Sequence, residues 1–383
     1  MQDQAPRSAK IPADALPRSQ SAQLDWLQLH RSRRVGPATF IRLLREHGSA
    51  RAALDALPDI AAKAGARGYA PASRHMIEAE WQAAATAGAR PLLLCAPDYP
   101  AMLANISDPP AFLWAIGEPE LGQRRVVALV GARNASALGC RMAARLAREL
   151  GQAGFVVASG LARGIDAAAH KAALPAGTIA VQAGGVDDIY PAENAALAGE
   201  IAASGLRLSE MPIGHKPRPQ DFPRRNRIVS GLALGVVVVE GALRSGSLIT
   251  ARTALDQGRE VMAVPGSPMD GRAGGCNVLI REGATLIRSG ADILESLGET
   301  AGPPATSVPA PVPEPARSAV VQVAGGDSED RLLSLLGPAP VAEDILTREL
   351  GRPAPAVAAM LLDLELAGRI CRHPGGLISR TGG

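Results

Sequence analysis

Val126-Val127-Ala128-Leu129-Val130-Gly131-Ala132-Arg133-Asn134 is the stretch on which the fold turns. Five consecutive apolar residues, three of them valine, suit a strand covered on both faces. The glycine that follows permits a close backbone turn, and residues 138–152 then continue with helical spacing. The cycle repeats downstream. Apolar runs rich in β-branched residues at 155–158, 178–181, 236–239, 261–264 and 285–287, with a fainter one at 206–208, alternate with helical stretches at 165–173, 193–204, 248–257 and 276–282. Such alternation predicts a doubly wound, mostly parallel α/β sheet.

The bulk numbers narrow the function classes. In 383 residues, 47% hydrophobic and 20% charged, there is room for two or three domains, and wholesale disorder is excluded. The net charge is only +3, so affinity for nucleic acid has to come from a local cluster of cations. Cys95, Cys140, Cys276 and Cys371 are scattered and form neither a C-x-x-C pair nor a Cys/His ligand set. That pattern argues against structural zinc and a disulfide scaffold and fits a reducing cytosol. No apolar run approaches membrane-spanning length, so the expectation is a soluble cytoplasmic protein without a membrane partner.

Composition divides the chain further. Residues 1–22 are polar and Pro-rich and read as a disordered tail, and residues 23–116 read as a helical domain. In that domain Gly36-Pro37 resembles half of a helix-hairpin-helix unit, serving either packing or a phosphate. Residues 117–298 hold the α/β pattern, and 299–328 form a Pro/Ala/Gly-rich linker. Residues 329–383 offer three short helices and two strands that suit a winged helix. Its third helix carries Asp363 and Glu365 and no cation, which favours protein contact or packing over major-groove reading. Arg369, Arg372, His373 and Arg380 on the wing are the counter-argument.

Candidate binding residues gather after the strands. Gly131 lets a ligand approach a strand's carboxyl end, where open α/β sheets bind, and Arg133 can present a fork to phosphate. The G-x-G-x-x-G spacing of dinucleotide binders is absent, which counts against a nicotinamide cofactor. Ser159, Gly160, Arg163 and Gly164 make a second potential phosphate turn. Asp166 and His170 share a helical face and suit either an acid/base pair or, as is commoner, a helix-start cap beside a hydrogen-bonded histidine. Asp187 and Asp188 could hold Mg²⁺, but Tyr190-Pro191 beside them reads more simply as a rigid turn.

The densest signal is Lys216-Pro217-Arg218-Pro219-Gln220-Asp221-Phe222-Pro223-Arg224-Arg225-Asn226-Arg227, read as a basic loop around one phenylalanine. After the next strand, Ser245-Gly246-Ser247 opens a helix that includes Thr250, adding hydroxyls and N–H groups at a positive helix end. Cations beside an aromatic ring suit single-stranded nucleic acid, whose phosphates need charge and whose unstacked bases need a flat apolar face. Finally, Val278, Leu279, Ile280, Leu286 and Ile287 exceed what one strand and one short helix need for a core, which suggests self-association.

Six motifs in order, SGLARGID (159–166), GGVDDIYPAEN (184–194), FPRRNRIVSGLALGVVVVEG (222–241), SGSLITA (245–251), GREVMAVPG (258–266) and GCNVLI (275–280), resemble the DprA (Smf) DNA-processing family. The resemblance spans about residues 24–297 and extends to the winged helix. It implies an extended Rossmann-like core and a cytoplasmic homodimer without a catalytic cofactor. The implied function is nonenzymatic: binding incoming single-stranded DNA in natural transformation, protecting it and loading the recombinase RecA. By that resemblance Arg133, Phe222, Arg225, Asn226, Arg227 and Ser245 to Thr250 fall on family motifs, and Val278, Leu279 and Leu286 on the dimer contact. Ala132 stands where the family usually has serine, which removes one hydroxyl donor. The rival reading is a nucleotide-binding or nucleotide-hydrolysing enzyme on a related Rossmann-like fold. Such enzymes place a glutamate in the helix after the phosphate loop, and residues 248–255 contain no acid.

Overall fold

The computed structural model describes Ile11 and residues 15–66, 68–298, 326–336, 341–373 and 377–381. The expectations of a tail over 1–10 and a linker over 299–325 lie outside the described residues. The described residues fall into two compact units, a large one and a small one that holds the C-terminal elements.

The large unit opens with four helices, α1 (Gln20–Arg31), α2 (Pro37–His47), α3 (Ala50–Lys63) and α4 (Arg74–Thr86). The Ser19 hydroxyl accepts the Ala22 N–H and so starts α1 inside the segment read as tail, while Ile11 and Ala15 are buried in the core. Isolated apolar residues in a polar stretch escape a compositional reading. Pro37 occupies the first helical position of α2, where its missing N–H costs nothing, and Gly48 ends that helix at φ 75°.

The helical domain was expected to run to 116, but it ends earlier. After β1 (Arg90–Leu93) and the short α5 (Ala101–Ala104), β2 (Phe112–Gly117) pairs antiparallel with β1 and with β6 (Leu206–Ser209), so both join the main sheet. Pro91 hid β1, and it is tolerated because β1 is an edge strand. Charge ties the helices to this sheet. Arg31 pairs with Glu80 at 2.8 Å and donates to the Glu210 carbonyl, and Trp114 donates to Glu80 at 2.8 Å.

The sheet has nine strands in the order β1-β2-β6-β5-β4-β3-β7-β8-β9. Besides those above, they are β3 (Val126–Val130), β4 (Val156–Ser159), β5 (Thr178–Val181), β7 (Gly235–Val238), β8 (Glu260–Ala263) and β9 (Thr285–Leu286). From β6 to β9 all neighbours are parallel, as the apolar runs require. The connecting helices are α6 (Ala137–Gln152), α7 (Ile165–Ala173), α8 (Ala195–Ser204), α9 (Asp221–Leu232), α10 (Gly246–Asp256) and α11 (Gly274–Arg281), with α12 (Gly290–Ser296) after β9. Chain order reverses between β3 and β7, which opens a crevice at their carboxyl ends.

One element differs in kind from the sequence reading. Residues 221–227, taken as loop, are the first turns of α9. Pro223 is its third residue, where no intrahelical donor is needed. The buried Asp221 carboxylate anchors this start, accepting the Arg218 N–H and bonding His215 Nε2, both at 2.8 Å.

The small unit contains α13 (Gly326–Leu335), β10 (Val341–Ala342), α14 (Glu343–Leu350), α15 (Ala354–Leu366), β11 (Ile370–His373) and β12 (Leu377–Arg380). Its strands pair as β10-β12-β11, and Leu332, Leu346, Val357, Leu361, Leu364 and Ile378 form its core. This is the winged helix that the sequence suggests. Arg372 on the wing is engaged with Glu343 and Glu365, each at 3.0 Å.

Candidate nucleic-acid interface

Where the strand order reverses, the loops after β3, β4 and β7 pack backbone against backbone. The Ala132 N–H donates to the Glu240 carbonyl at 2.7 Å. A Cβ on Gly131 would lie 2.5 Å from the Ile165 side chain. Gly164 has φ +74°, and a Cβ there would lie 2.3 Å from the Ala132 carbonyl oxygen. Both glycines serve close approach of the loops that carry the candidate side chains.

Those side chains divide sharply between buried and free. Arg133 is exposed, with its guanidinium 4.6 Å from the ring centroid of the half-buried Phe222. Tyr190 approaches the same ring at 5.8 Å, tilted by 59°. Lys216, Arg218 and Arg224 are also exposed, and among the described residues none of these four cations forms an ion pair. Asn226 is half-buried, and its amide has no hydrogen-bond partner among the described residues.

Arg225 is not part of that free set. It is buried, donates to the Val181 carbonyl at 2.6 Å and packs over Gly160, where a Cβ would sit 1.9 Å from its Nη1. Burial pushes its pKa down to about 10, against the pull of Asp166, with Arg133 adding like charge. A phosphate contact by Arg225 was the expectation. The structure makes it a cation built into the floor of the site. Arg227 is likewise engaged, bonding both Glu210 oxygens at 2.7 Å and the Asp108 carbonyl at 2.8 Å. Helical periodicity is the cause: in α9 the residues at 225 and 227 face inward or sideways, and 224 faces out.

The second turn also needs correction. Ser159 is fully buried and donates to the Leu129 carbonyl at 2.6 Å, so it meets no ligand. Arg163 is exposed, 3.5 Å from Glu193. Asp166 accepts the N–H groups of Gly160 and Ala162, at 3.0 and 3.3 Å, so it braces the turn. Burial raises its pKa, with Arg225 opposing. Thr178 donates to the Val157 carbonyl, so His170 Nδ1 donates to the Thr178 hydroxyl at 2.7 Å while Nε2 accepts the Leu161 N–H. Burial, then Arg225, lowers His170 to about 3, which leaves a neutral structural imidazole. Of the expected cap and hydrogen-bonded histidine, the histidine bond is present, while Asp166 caps no N–H of α7 and braces the preceding turn instead. Asp187 accepts the Gly214 N–H at 3.0 Å, and among the described residues no group of His, Cys, Asp or Glu is arranged to hold a metal.

At the third turn, the Ser245 hydroxyl accepts the Ser247 N–H and lies 2.7 Å from the Ser247 hydroxyl. Ser247 and Thr250 are buried, so the turn caps α10 and leaves Gly246 as its open backbone. Of the residues expected at a subunit contact, Leu279 and Ile287 point into the core. Val278 and Ile280 are half-buried, and Leu286, 42% exposed, lies on the edge strand β9. A period-2 strand must put Leu286 and Ile287 on opposite faces.

Sequence reasoning passed over Tyr190 as a binding residue and did not see Glu210 at all. The signal for Tyr190 was an aromatic placed in an otherwise polar turn. Glu210 gave none, because its partners are Arg227 and, through the backbone, Arg31.

A doubly wound sheet with the exposed Arg133 at its switch point, a helical domain before it and a winged helix after it defines an extended Rossmann-like protein of multidomain type. The chain belongs to the DprA/Smf family. Residues 90–298 match the model of DNA recombination-mediator protein A, 20–83 the DprA-like N-terminal HHH domain and 305–376 the DprA winged helix domain. The Bacillus subtilis DNA processing protein DprA is 50% identical over 204 residues, 52% of this chain and 69% of that protein. The Escherichia coli protein Smf is 39% identical over 295 residues, 73% of this chain and 74% of that one. The Streptococcus pneumoniae DNA processing protein A structure superposes with a TM-score of 0.55 at 40% identity, covering 58% of this chain and 77% of that one. The Helicobacter pylori DNA processing protein A, solved for its single-stranded DNA binding mode, gives 0.50 at 31% identity over 55% of this chain and 95% of that one. No helix among the described residues is long and apolar enough to cross a membrane.

Proposed function

We propose that this chain is a nonenzymatic recombination mediator that binds and protects incoming single-stranded DNA and loads RecA during natural transformation. The observation that carries the DNA reading is the exposed Arg133 over the ring of Phe222 with Tyr190 beside it, joined by Lys216, Arg218 and Arg224, which are also exposed and form no ion pair among the described residues. Cations without partners keep their full attraction for phosphate, whereas paired ones must first break a bond. Membership of a family whose Helicobacter pylori relative was solved for its single-stranded DNA binding supports the same reading. The enzymatic rival finds little to work with: α10 has no acid before Asp256, and the buried Glu240 lies 3.4 Å from Arg272. Equilibrium binding to single-stranded and duplex oligonucleotides over a salt series tests the DNA reading, and duplex preference overturns it. RecA filament formation on strands coated by single-strand-binding protein, with and without this chain, tests loading.

A homodimer through the β9 edge completes the proposal. A twofold contact doubles the effect of one change, so Leu286→Arg yields a monomer by sedimentation where the wild type sediments as a dimer. A wild-type monomer at micromolar concentration removes the idea. The winged helix is proposed to contact protein, because Arg372 is engaged and α15 exposes Asp363. A chain ended at Gly298 therefore keeps its affinity for single-stranded DNA. A tenfold loss, about 1.4 kcal/mol, would place DNA contacts on the winged helix.

A further inference from the structure

Of the chain's three Tyr, three Trp and four Phe, only Tyr190 is exposed, with 52% of its surface open. Its loop is firmly held. The Gln182 amide donates to the Asp188 carbonyl at 2.9 Å and to that of Gly185 at 3.2 Å. The Asn194 amide donates to the Leu161 carbonyl at 2.9 Å, joining this loop to the one after β4. A rigid, solvent-exposed ring is ready to stack without a further ordering cost. Phe222 is less available, since Arg133 lies over its ring and Tyr190 leans against it.

We propose that Tyr190, buttressed by Phe222, is the stacking platform for an unpaired nucleobase whose phosphates are met by Arg133 and its neighbours. This rests on the single-stranded DNA reading above and assigns within it the residue that distinguishes single strands from duplex. Bases in a duplex are already stacked on each other and offer Tyr190 no free face. Charge favours a nucleobase over an apolar side chain of a protein partner: the exposed Arg133 over the adjoining Phe222 ring forms no ion pair among the described residues, and the nearby Glu193 is offset by Arg163. Phe222 then has two duties, to support Tyr190 and to hold the Arg133 guanidinium in place.

The test compares full-length wild type with Tyr190→Ala, Tyr190→Phe and Tyr190→Trp on oligothymidylate and on an abasic strand of equal length. Stacking of one base makes wild type bind oligothymidylate about tenfold more tightly than the abasic strand. Tyr190→Ala erases that difference, with an unchanged salt slope and melting temperature, while Phe and Trp retain it. Equal loss on both strands, or none on oligothymidylate, overturns the platform; in the second case the phosphate reading survives and the ring is left for a protein side chain. Wild type that binds neither strand removes the DNA reading itself, a result distinct from failure of Tyr190 alone.

Discussion

Reversing Arg133 and Arg224 together to glutamate lowers affinity for single-stranded DNA about 100-fold, or about 2.8 kcal/mol, and flattens its salt dependence. Each phosphate contact on a single strand contributes about 0.7 to the slope of log affinity against log salt, so removing two flattens it by about 1.4. The pair is chosen from the structure, since both side chains are exposed and neither has an ion pair to lose among the described residues. Stability should therefore change little. A folded double variant with wild-type affinity and slope would show that the strand runs elsewhere.

Arg225→Ala, one residue further along α9, is expected to behave in the opposite way. It unpairs the Val181 carbonyl, empties the space above Gly160 and takes away the positive charge that holds down the raised pKa of buried Asp166. Removing one member of a buried polar arrangement costs on the order of 3 kcal/mol. Urea unfolding should register that loss, while Arg224→Ala shifts the midpoint by little. If Arg225→Ala instead melts like wild type and loses DNA binding, Arg225 is a ligand contact and its burial has been misread.

These contrasting neighbours mark where sequence reading stops. A run of cations around Phe222 was legible as charge, but the same run is a helix, and a helix turns by about 100° per residue. That rotation sends Arg224 to solvent and Arg225 beneath the floor, and carries Arg227 to Glu210. Glu210 and Arg227 are 17 positions apart, Arg31 and Glu210 179, and no local pattern links them. The hydroxyls misread in the same manner: Ser159, Ser247 and Thr250 are residue types that bind phosphate, yet each is buried here.

What the sequence determined by itself was the alternation of apolar strands with helices, every parallel strand to within one residue at each end, and the winged helix. Those features are local: a doubly covered strand needs a continuous apolar run, and a helix needs its own period. Only the tertiary structure decided that residues 90–93 and 112–117 extend the sheet, that Leu286 faces out while Ile287 faces in, and which cations are free. Burial and pairing are properties of what folds on top of a residue, and the covering chain comes from elsewhere in the sequence. Tyr190 is the clearest case, because its open ring acquires meaning only beside Phe222 and Arg133, delivered to the same place by α9 and by the loop after β3.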